Sequence, residues 1–274
     1  MIKNLRFFLR KVYWRLRLIF GVSCTSDSEI QYRLNRLPLE ISPGSTFQFP
    51  WANVSFVSAS DLRGQFTEIF VQRHYAFQTS AAAPVIVDAG GNIGMSAIWF
   101  KQTYPQARVT LYEADAALAA LVTKNLAAAN ITGVDVQNAA VWDKDGTVSF
   151  DNRGQDKGMV SADGAVQVRA VDLAQHLPER VDLLKLDVEG AEYAIIRRLV
   201  ETGNIARVQN LVAEFHIKRG DMDDCLAALN HLRAAGMQVT FRAEHGSWLG
   251  DAGQASPFDI IGRKQVLAEV YAWR

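Results

Sequence analysis

The residues best placed to do chemistry are Asp88, Gly90, Asn92 and Gly94, within the run Val-Ile-Val-Asp-Ala-Gly-Gly-Asn-Ile-Gly that starts at Val85. A continuous apolar stretch that ends in an acid and a glycine cluster reads as a buried parallel strand followed by a tight turn. Gly90, Gly91 and Gly94 permit that turn and let backbone amides approach a ligand closely. A helix from Met95 onward then faces whatever sits on the turn. This is the first strand–loop–helix of a nucleotide-type site. A phosphate loop would end in Gly-Lys-Ser/Thr, which is missing, and a dinucleotide fingerprint would read Gly-x-Gly-x-x-Gly, which the spacing here does not match.

Two further groups of residues converge on the same rim. The strand Arg108 to Tyr112 ends in Glu113, about 20 residues after the glycines, where an acid grips ribose hydroxyls; nicotinamide enzymes carry such an acid too. The strand after Asp182 ends at Asp187, with Glu189 and Glu192 in the turn and first helical turn. Ligands of open α/β sheets bind beyond the carboxyl ends of the strands, so Asp187 shares the rim with Asp88 and Glu113. Acids so close together need a compensating cation, such as Lys185, a metal or a cationic ligand. Alternatively Glu189 and Glu192 complement the dipole of the helix that begins near Gly190. Glu214-Phe-His216 closes the next strand, where alternation puts Glu214 and His216 on one side. An imidazole with an ordinary pKa of ~6.5 beside an acid suits proton transfer, the alternative being a structural histidine.

The acid-x-Gly-x-Asn-x-Gly pattern at Asp88 to Gly94 resembles the first motif of class I S-adenosylmethionine-dependent methyltransferases. The chain resembles the FkbM family of these enzymes in Ile86 to Ser96, Tyr112-Glu-Ala-Asp, Asn138-Ala-Ala-Val-Trp-Asp, Val168-Arg-Ala-Val-Asp-Leu, Leu184 to Glu192 and Glu214-Phe-His. The resemblance implies O-methylation, commonly of sugar hydroxyls in glycans, glycolipids or natural products, and sometimes of carboxylates. It implies that Asp88, Gly90, Asn92, Gly94, Met95 and Ser96 hold the methionine part of S-adenosylmethionine and Glu113 its ribose. Ala114 and Asp115, with Asn138 and Ala140, would line the adenine. Asp187, also near the cofactor, would face the acceptor with Glu189, Glu214 and His216. The cofactor's sulfonium would help to compensate the acids. His216 or Asp187 would take the hydroxyl proton, or a divalent ion would assist, Mg²⁺ suiting oxygen ligands such as Asp187, Glu189 and Glu214. One departure, Gly91 where many members have Ala, is expected only to loosen the turn. A carboxyl O-methyltransferase and a non-catalytic cofactor-binding module recruited to membranes are the competing functions.

These residues need a doubly wound scaffold. From Pro84 onward strands and helices alternate, the pattern of an α/β domain with a mostly parallel sheet and helices on both faces. Strands are expected at Val85–Asp88, Val109–Tyr112, Val134–Asn138, Val181–Asp187, Val208–Phe215, Gln238–Arg242 and Phe258–Gly262. Helices are expected at Met95–Thr103, Leu118–Ala129, Ala191–Glu201 and Asp221–Ala235, with two insertion strands at Gly146–Phe150 and Ala165–Ala170. By resemblance this is the seven-stranded Rossmann-like sheet of class I methyltransferases, occupying 84–274. Residues 24–83 form an extension: a connector or short helix, a hairpin at Thr46–Phe49 and Val54–Val57, a helix over Leu62–Phe77 carrying His74, and a linker at Ser80–Ala83.

The balance of 29 basic and 29 acidic residues argues against a nucleic-acid partner, whose phosphates call for a basic face. Cys24 and Cys225 lack metal or disulfide spacing, which fits a reducing compartment. Residues 1–23 nevertheless hold Lys3, Arg6, Arg10, Lys11, Arg15 and Arg17 and no acid, with apolar residues at helical spacing. Arginines interrupt every apolar run, so this is neither a signal peptide nor a span. A basic amphipathic helix on an anionic membrane fits. The alternative packs it on the protein's own core or on the partner subunit of a homo-oligomer. The expected location is cytoplasmic, peripheral to the inner face of the cell membrane, where a glycan or glycolipid acceptor would be met.

Overall fold

The computed structural model describes residues 27–38, 44–151, 159–160, 166–218, 220–243 and 265–274. The first elements are α1 (Asp27–Leu34), the antiparallel hairpin of β1 (Thr46–Gln48) and β2 (Asn53–Ser55), and α2 (Ala59–Gln65). Ser58 caps α2, its Oγ accepting from the Asp61 amide at 3.3 Å. Phe66–Val71 continues the helix with π-type spacing, which closes with the Gln72 amide on the Thr67 carbonyl. Arg73 then turns left-handed at φ 58°, a conformation that cannot extend a right-handed helix. The helix expected over Leu62–Phe77 therefore runs from Ala59 to Val71, and His74 falls beyond it. Its aromatic residues hold the extension together: Trp51 stacks on Phe49 and Phe70 with centroids at 4.7 and 5.0 Å.

The alternating units follow: β3 (Val85–Ala89), α3 (Met95–Thr103), β4 (Arg108–Glu113), α4 (Ala116–Ala128) and β5 (Val134–Asn138). A small four-stranded sheet is formed by β6 (Ala140–Trp142), β7 (Gly146–Asp151), β8 (Met159–Val160) and β9 (Val166–Asp172), in the order β6-β9-β7-β8. The chain then gives α5 (Leu173–His176), β10 (Leu183–Leu186), α6 (Glu192–Glu201), β11 (Asn210–Lys218), α7 (Met222–Ala234), β12 (Gln238–Ala243) and β13 (Gln265–Trp273). The main sheet has seven strands in the order β12-β13-β11-β10-β3-β4-β5. All neighbours pair in parallel except β13, which runs antiparallel between β11 and β12. The strand expected over Phe258–Gly262 and the helix expected over residues 1–23 lie outside the described residues. Among the described residues no helix is long and apolar enough to cross a membrane.

Each central strand is buried on both faces, which is why it reads as an unbroken apolar run. In β3, Ile86 joins one core layer and Val87 the other, following the period of two. One layer packs Ile195, Ile196 and Leu199 of α6 and Leu232 of α7 against the sheet. The other combines α3 and α4 with Ile30, Leu34, Phe47, Phe56 and Phe66 of the extension. The described residues of the extension thus share a core with the sheet, and α2 lies at the carboxyl ends of its strands. Successive strands wind away from β3 in one direction through β4 and β5 and in the other through β10 and β11. The switch between β3 and β10 opens a crevice there.

Candidate functional site

Two loops meet at that crevice. After β3, Gly90 adopts φ +88°, and a Cβ on it would stand 1.7 Å from the Asp187 carbonyl oxygen at the end of β10. No side chain fits. The Gly90 and Gly91 amides both donate to the Tyr112 carbonyl, at 2.9 and 3.0 Å, which ties the loop to β4. Gly91 does not loosen the turn as expected: a methyl there would come within 2.3 Å of Leu111 Cδ2, so the bare backbone makes room for that leucine. Asn92 sits left-handed at φ 49°, as does Glu189 at φ 57° in the facing loop. Non-glycine residues held this way concentrate at functional sites.

Beneath the loops runs a charged spine. Lys185 of β10 is buried, and its Nζ donates to the Gly90 carbonyl at 2.7 Å. The same ammonium stands 3.2 Å from Asp88 Oδ1, 3.6 Å from Asp187 Oδ2 and 5.5 Å from the centroid of the Tyr75 ring. Burial alone would lower its pKa, but Asp88 and Asp187 outweigh burial and raise it. Lys185 is therefore a fixed cation that pins the glycine loop. Ser96 Oγ donates to Asp88 Oδ2 at 2.5 Å. Tyr75 keeps its proton well past its ordinary range, through burial first and then the nearby Asp187 and Asp88.

Glu113 closes the neighbouring part of the rim. Its Oε2 accepts from the Asn92 amide at 2.7 Å and its Oε1 from the Asp115 amide at 2.8 Å. Burial pushes its pKa up to about 7, against the pull of those two amides. Asp115 caps α4, its Oδ1 accepting from the Ala117 and Leu118 amides at 2.7 and 3.1 Å. Asn138 Nδ2 donates to the Glu113 and Ala114 carbonyls at 2.9 and 3.0 Å. These two side chains thus brace the end of β4 through their own hydrogen bonds.

A cavity of about 210 Å³ opens over the crevice. Of the expected residues it brings together Gly90, Asn92, Ser96, Asp187, Glu189 and Glu214. The others lie deeper or to one side. Met95 is fully buried in the core, and Asp88 and Ala140 are buried as well. Gly94 packs on α4, a methyl there meeting Val122 Cγ1 at 3.1 Å. The remaining walls were not expected from the sequence: Asp61, Gly64, Gln65 and Glu68 from α2 and its π-type continuation, with Tyr75 and Leu267. Positions 61, 64, 65 and 68 share one helical face, opposite the buried Leu62, Phe66 and Phe70, and that polar or small face was the available signal. Gln65 Nε2 also donates to Asn92 Oδ1 at 3.1 Å, fastening this cap to the glycine loop.

His216 requires a correction. It is 1% exposed and does not line the cavity itself, its Nε2 being covered by the cavity acids Glu189 and Glu214. Its Nδ1 stands 3.1 Å from Glu192 Oε1, and its Nε2 stands 3.1 Å from Glu189 Oε2 and 3.3 Å from Glu214 Oε1. Burial would lower its pKa, yet the three carboxylates raise it far above the ordinary histidine range. These carboxylates favour the protonated imidazole, which has no lone pair with which to accept a further proton, and this works against His216 as the general base. Glu192 is fully buried and also receives the Val188 and Gly190 amides at 3.1 and 3.2 Å; it shapes the loop rather than only complementing a helix dipole. Ligand atoms of Asp187, Glu214 and His216 all lie within 4.8 Å of one another.

Comparison with known proteins agrees with this geometry. A methyltransferase of the fungus Beauveria bassiana, Methyltransferase 1, is 28% identical over 183 residues, covering 56% of this chain and 73% of its own. Methyltransferase sdnD of Sordaria araneosa is 29% identical over 203 residues, 59% of this chain and 78% of its own. The solved structure of methyltransferase FkbM from Methylobacillus flagellatus aligns at 13% identity and a TM-score of 0.47, covering 72% of this chain and 46% of that one. The model of the methyltransferase FkbM domain matches residues 88–239. With the glycine loop, Glu113, Asp187, Glu189 and Glu214 inside that match, the chain belongs to the FkbM family and is an S-adenosylmethionine-dependent methyltransferase.

Proposed function

We propose that this methyltransferase acts on a hydroxyl of a sugar in a glycan, glycolipid or natural product. The observation that carries the reading is the charge of the cavity: Asp61, Glu68, Asp187, Glu189 and Glu214 line it together with a single lysine, Lys185. A carboxylate acceptor would enter against like charges, each disfavoured at short range. A polyhydroxylated acceptor brings donors that those carboxylates accept as charge-assisted hydrogen bonds. The acid lining therefore supports hydroxyl over carboxyl methylation.

The residues present fit S-adenosylmethionine. Glu113 keeps lone pairs for ribose hydroxyls beyond the two amides it already receives, and the Gly90–Asn92 backbone borders the cavity directly. The cofactor supplies a methyl group made electrophilic by its sulfonium. The chain's own tasks are alignment of the acceptor oxygen and removal of its proton. Asp187 and Glu214, which line the cavity, are the bases in position, since the carboxylates around His216 favour its protonated form. A divalent cation on the cavity acids would assist by acidifying the hydroxyl. We assign residues 1–23 to an anionic membrane surface, where a lipid-linked glycan would be concentrated; flotation with anionic vesicles, reversed by salt, tests this.

The acceptor test uses the full chain, methyl-labelled cofactor, and parallel sets of neutral glycosides and sugar acids. Label should appear on neutral sugars and survive mild alkali, as a methyl ether does. Label released by alkali from the sugar acids would mark a methyl ester and overturn the reading.

A further inference from the structure

The wall between the cavity and α6 holds a second arrangement. His216 is buried with its two ring nitrogens in different surroundings. Nδ1 lies 3.1 Å from Glu192 Oε1, a carboxylate that two backbone amides already hold in place. Nε2 is turned toward the cavity acids, yet makes no hydrogen bond of acceptable geometry, although Glu189 and Glu214 oxygens stand 3.1 and 3.3 Å away. One oxygen each of Asp187 and Glu214 and a ring nitrogen of His216 fall within 4.8 Å of one another.

We propose that Asp187, Glu214 and His216 form a binding site for one divalent first-row transition-metal ion, of which Mn²⁺ is the representative, with Glu192 as the positioning residue of the imidazole. A histidine that ligates a metal typically donates its other ring N–H to a carboxylate, which fixes the tautomer and aims the free nitrogen at the ion. Glu192 occupies that place. Glu214 lies within β11 and Asp187 directly follows the adjacent parallel strand β10, with its amide donating to the Ala89 carbonyl of β3 at 3.0 Å, so their backbone spacing is tied to the sheet. A single ring proton offsets only part of the negative charge that Glu189, Glu192 and Glu214 bring to the imidazole. A doubly charged ion in its place offsets more. On binding, Nε2 releases its proton to solvent and gives its lone pair to the ion.

The ligand set also selects the class of ion. Oxygen ligands alone would suit Mg²⁺, but an imidazole beside two carboxylates favours manganese, iron or zinc. Asp187 and Glu214 line the cavity, so the ion's remaining positions face the acceptor. That use rests on the hydroxyl reading above, whereas the site itself does not.

The test therefore needs neither cofactor nor acceptor. Chelator-treated full-length protein is titrated with MnCl₂, and free Mn²⁺ is read by electron paramagnetic resonance. The expected result is one Mn²⁺ per chain, with nitrogen coupling from one imidazole in the spin-echo modulation of the bound ion. Glu214→Gln, at the cavity wall and so tolerated by the fold, should weaken binding at least about tenfold. No binding at millimolar Mn²⁺ overturns the proposal. So does bound Mn²⁺ without nitrogen coupling, or an unchanged affinity in a folded Glu214→Gln protein.

Discussion

Replacing Glu113 with Gln separates what its charge does for the empty protein from what it does for the cofactor. The carboxyl titrates at about 7 because burial opposes its charge, despite the two amides at 2.7 and 2.8 Å. Moving from its ordinary 4.5 to about 7 corresponds to about 3 kcal/mol, at about 1.4 kcal/mol per pH unit. The sign follows from proton counting. Between those values the folded protein holds a proton that the unfolded chain has lost, so unliganded stability falls as pH rises from about 4.5 through 7. Ribose hydroxyls favour the ionised form, so affinity for the product S-adenosylhomocysteine should rise over the same range. Only about one Glu113 in ten is ionised at pH 6, hence about a tenfold weaker affinity there than on the plateau above pH 8. Glu113→Gln abolishes both trends and turns a donor toward the Asn92 or Asp115 amide, at about 1–3 kcal/mol. Its affinity should lie about ten- to a hundredfold below the wild-type plateau. Calorimetry with S-adenosylhomocysteine from pH 6 to 8, beside urea unfolding of both proteins, reads each quantity. A flat wild-type affinity profile, or the same slope in the Gln variant, would refute the assignment of Glu113 to the ribose.

Other substitutions probe the scaffold. Gly90→Ala should abolish cofactor binding and lower the melting temperature, because its methyl would overlap the Asp187 carbonyl at 1.7 Å; unchanged calorimetric affinity would mean that the two loops are free to part. His216→Ala removes the cation between Glu189, Glu192 and Glu214 and should cost about 3–5 kcal/mol in urea unfolding, where a surface base would cost almost nothing. Asn125→Ala should cost about 1–3 kcal/mol, since this buried amide bridges the Ser55 backbone and the Ile93 carbonyl; hydrogen exchange should then quicken in the glycine loop.

The catalytic half of the fold was legible because its strands are buried on both faces. Val85–Ala89 and Leu183–Leu186 are apolar without interruption, and the glycines and acids that follow mark where each strand must end. The helices at Met95 and Ala191 were legible within a residue for the same reason. β13 was not. Its run Gln-Val-Leu-Ala-Glu-Val-Tyr-Ala-Trp places a glutamate inside the sheet, and Glu269 is buried there only because Arg242 Nη2 reaches its Oε2 at 2.6 Å and His74 and Tyr271 also bind it. Those partners come from β12, from the turn after Val71 and from β13 itself. A polar residue that is satisfied by distant segments breaks the alternation by which a strand is recognised.

The site follows the same division. Residues that serve through backbone position, Gly90 and Asn92, announced themselves by type and spacing, and Glu113 and Asp187 by standing at strand ends. Residues whose role is set by what crosses the sheet did not. Strand alternation correctly put Glu214 and His216 on one side. It carried no information that Glu192, from the preceding helix, would reach the imidazole from its other side and, with Glu189 and Glu214, favour its charged form. The same argument moves proton removal from the residue type best suited to it in isolation to the carboxylates that remain in contact with the cavity. Burial and three neighbouring acids set the histidine's proton affinity here, against its intrinsic pKa. On the proposed hydroxyl reading, a base at Asp187 or Glu214 is weak by comparison and puts more weight on alignment of the acceptor, for which the α2 cap, fastened through Gln65 to Asn92, is in place.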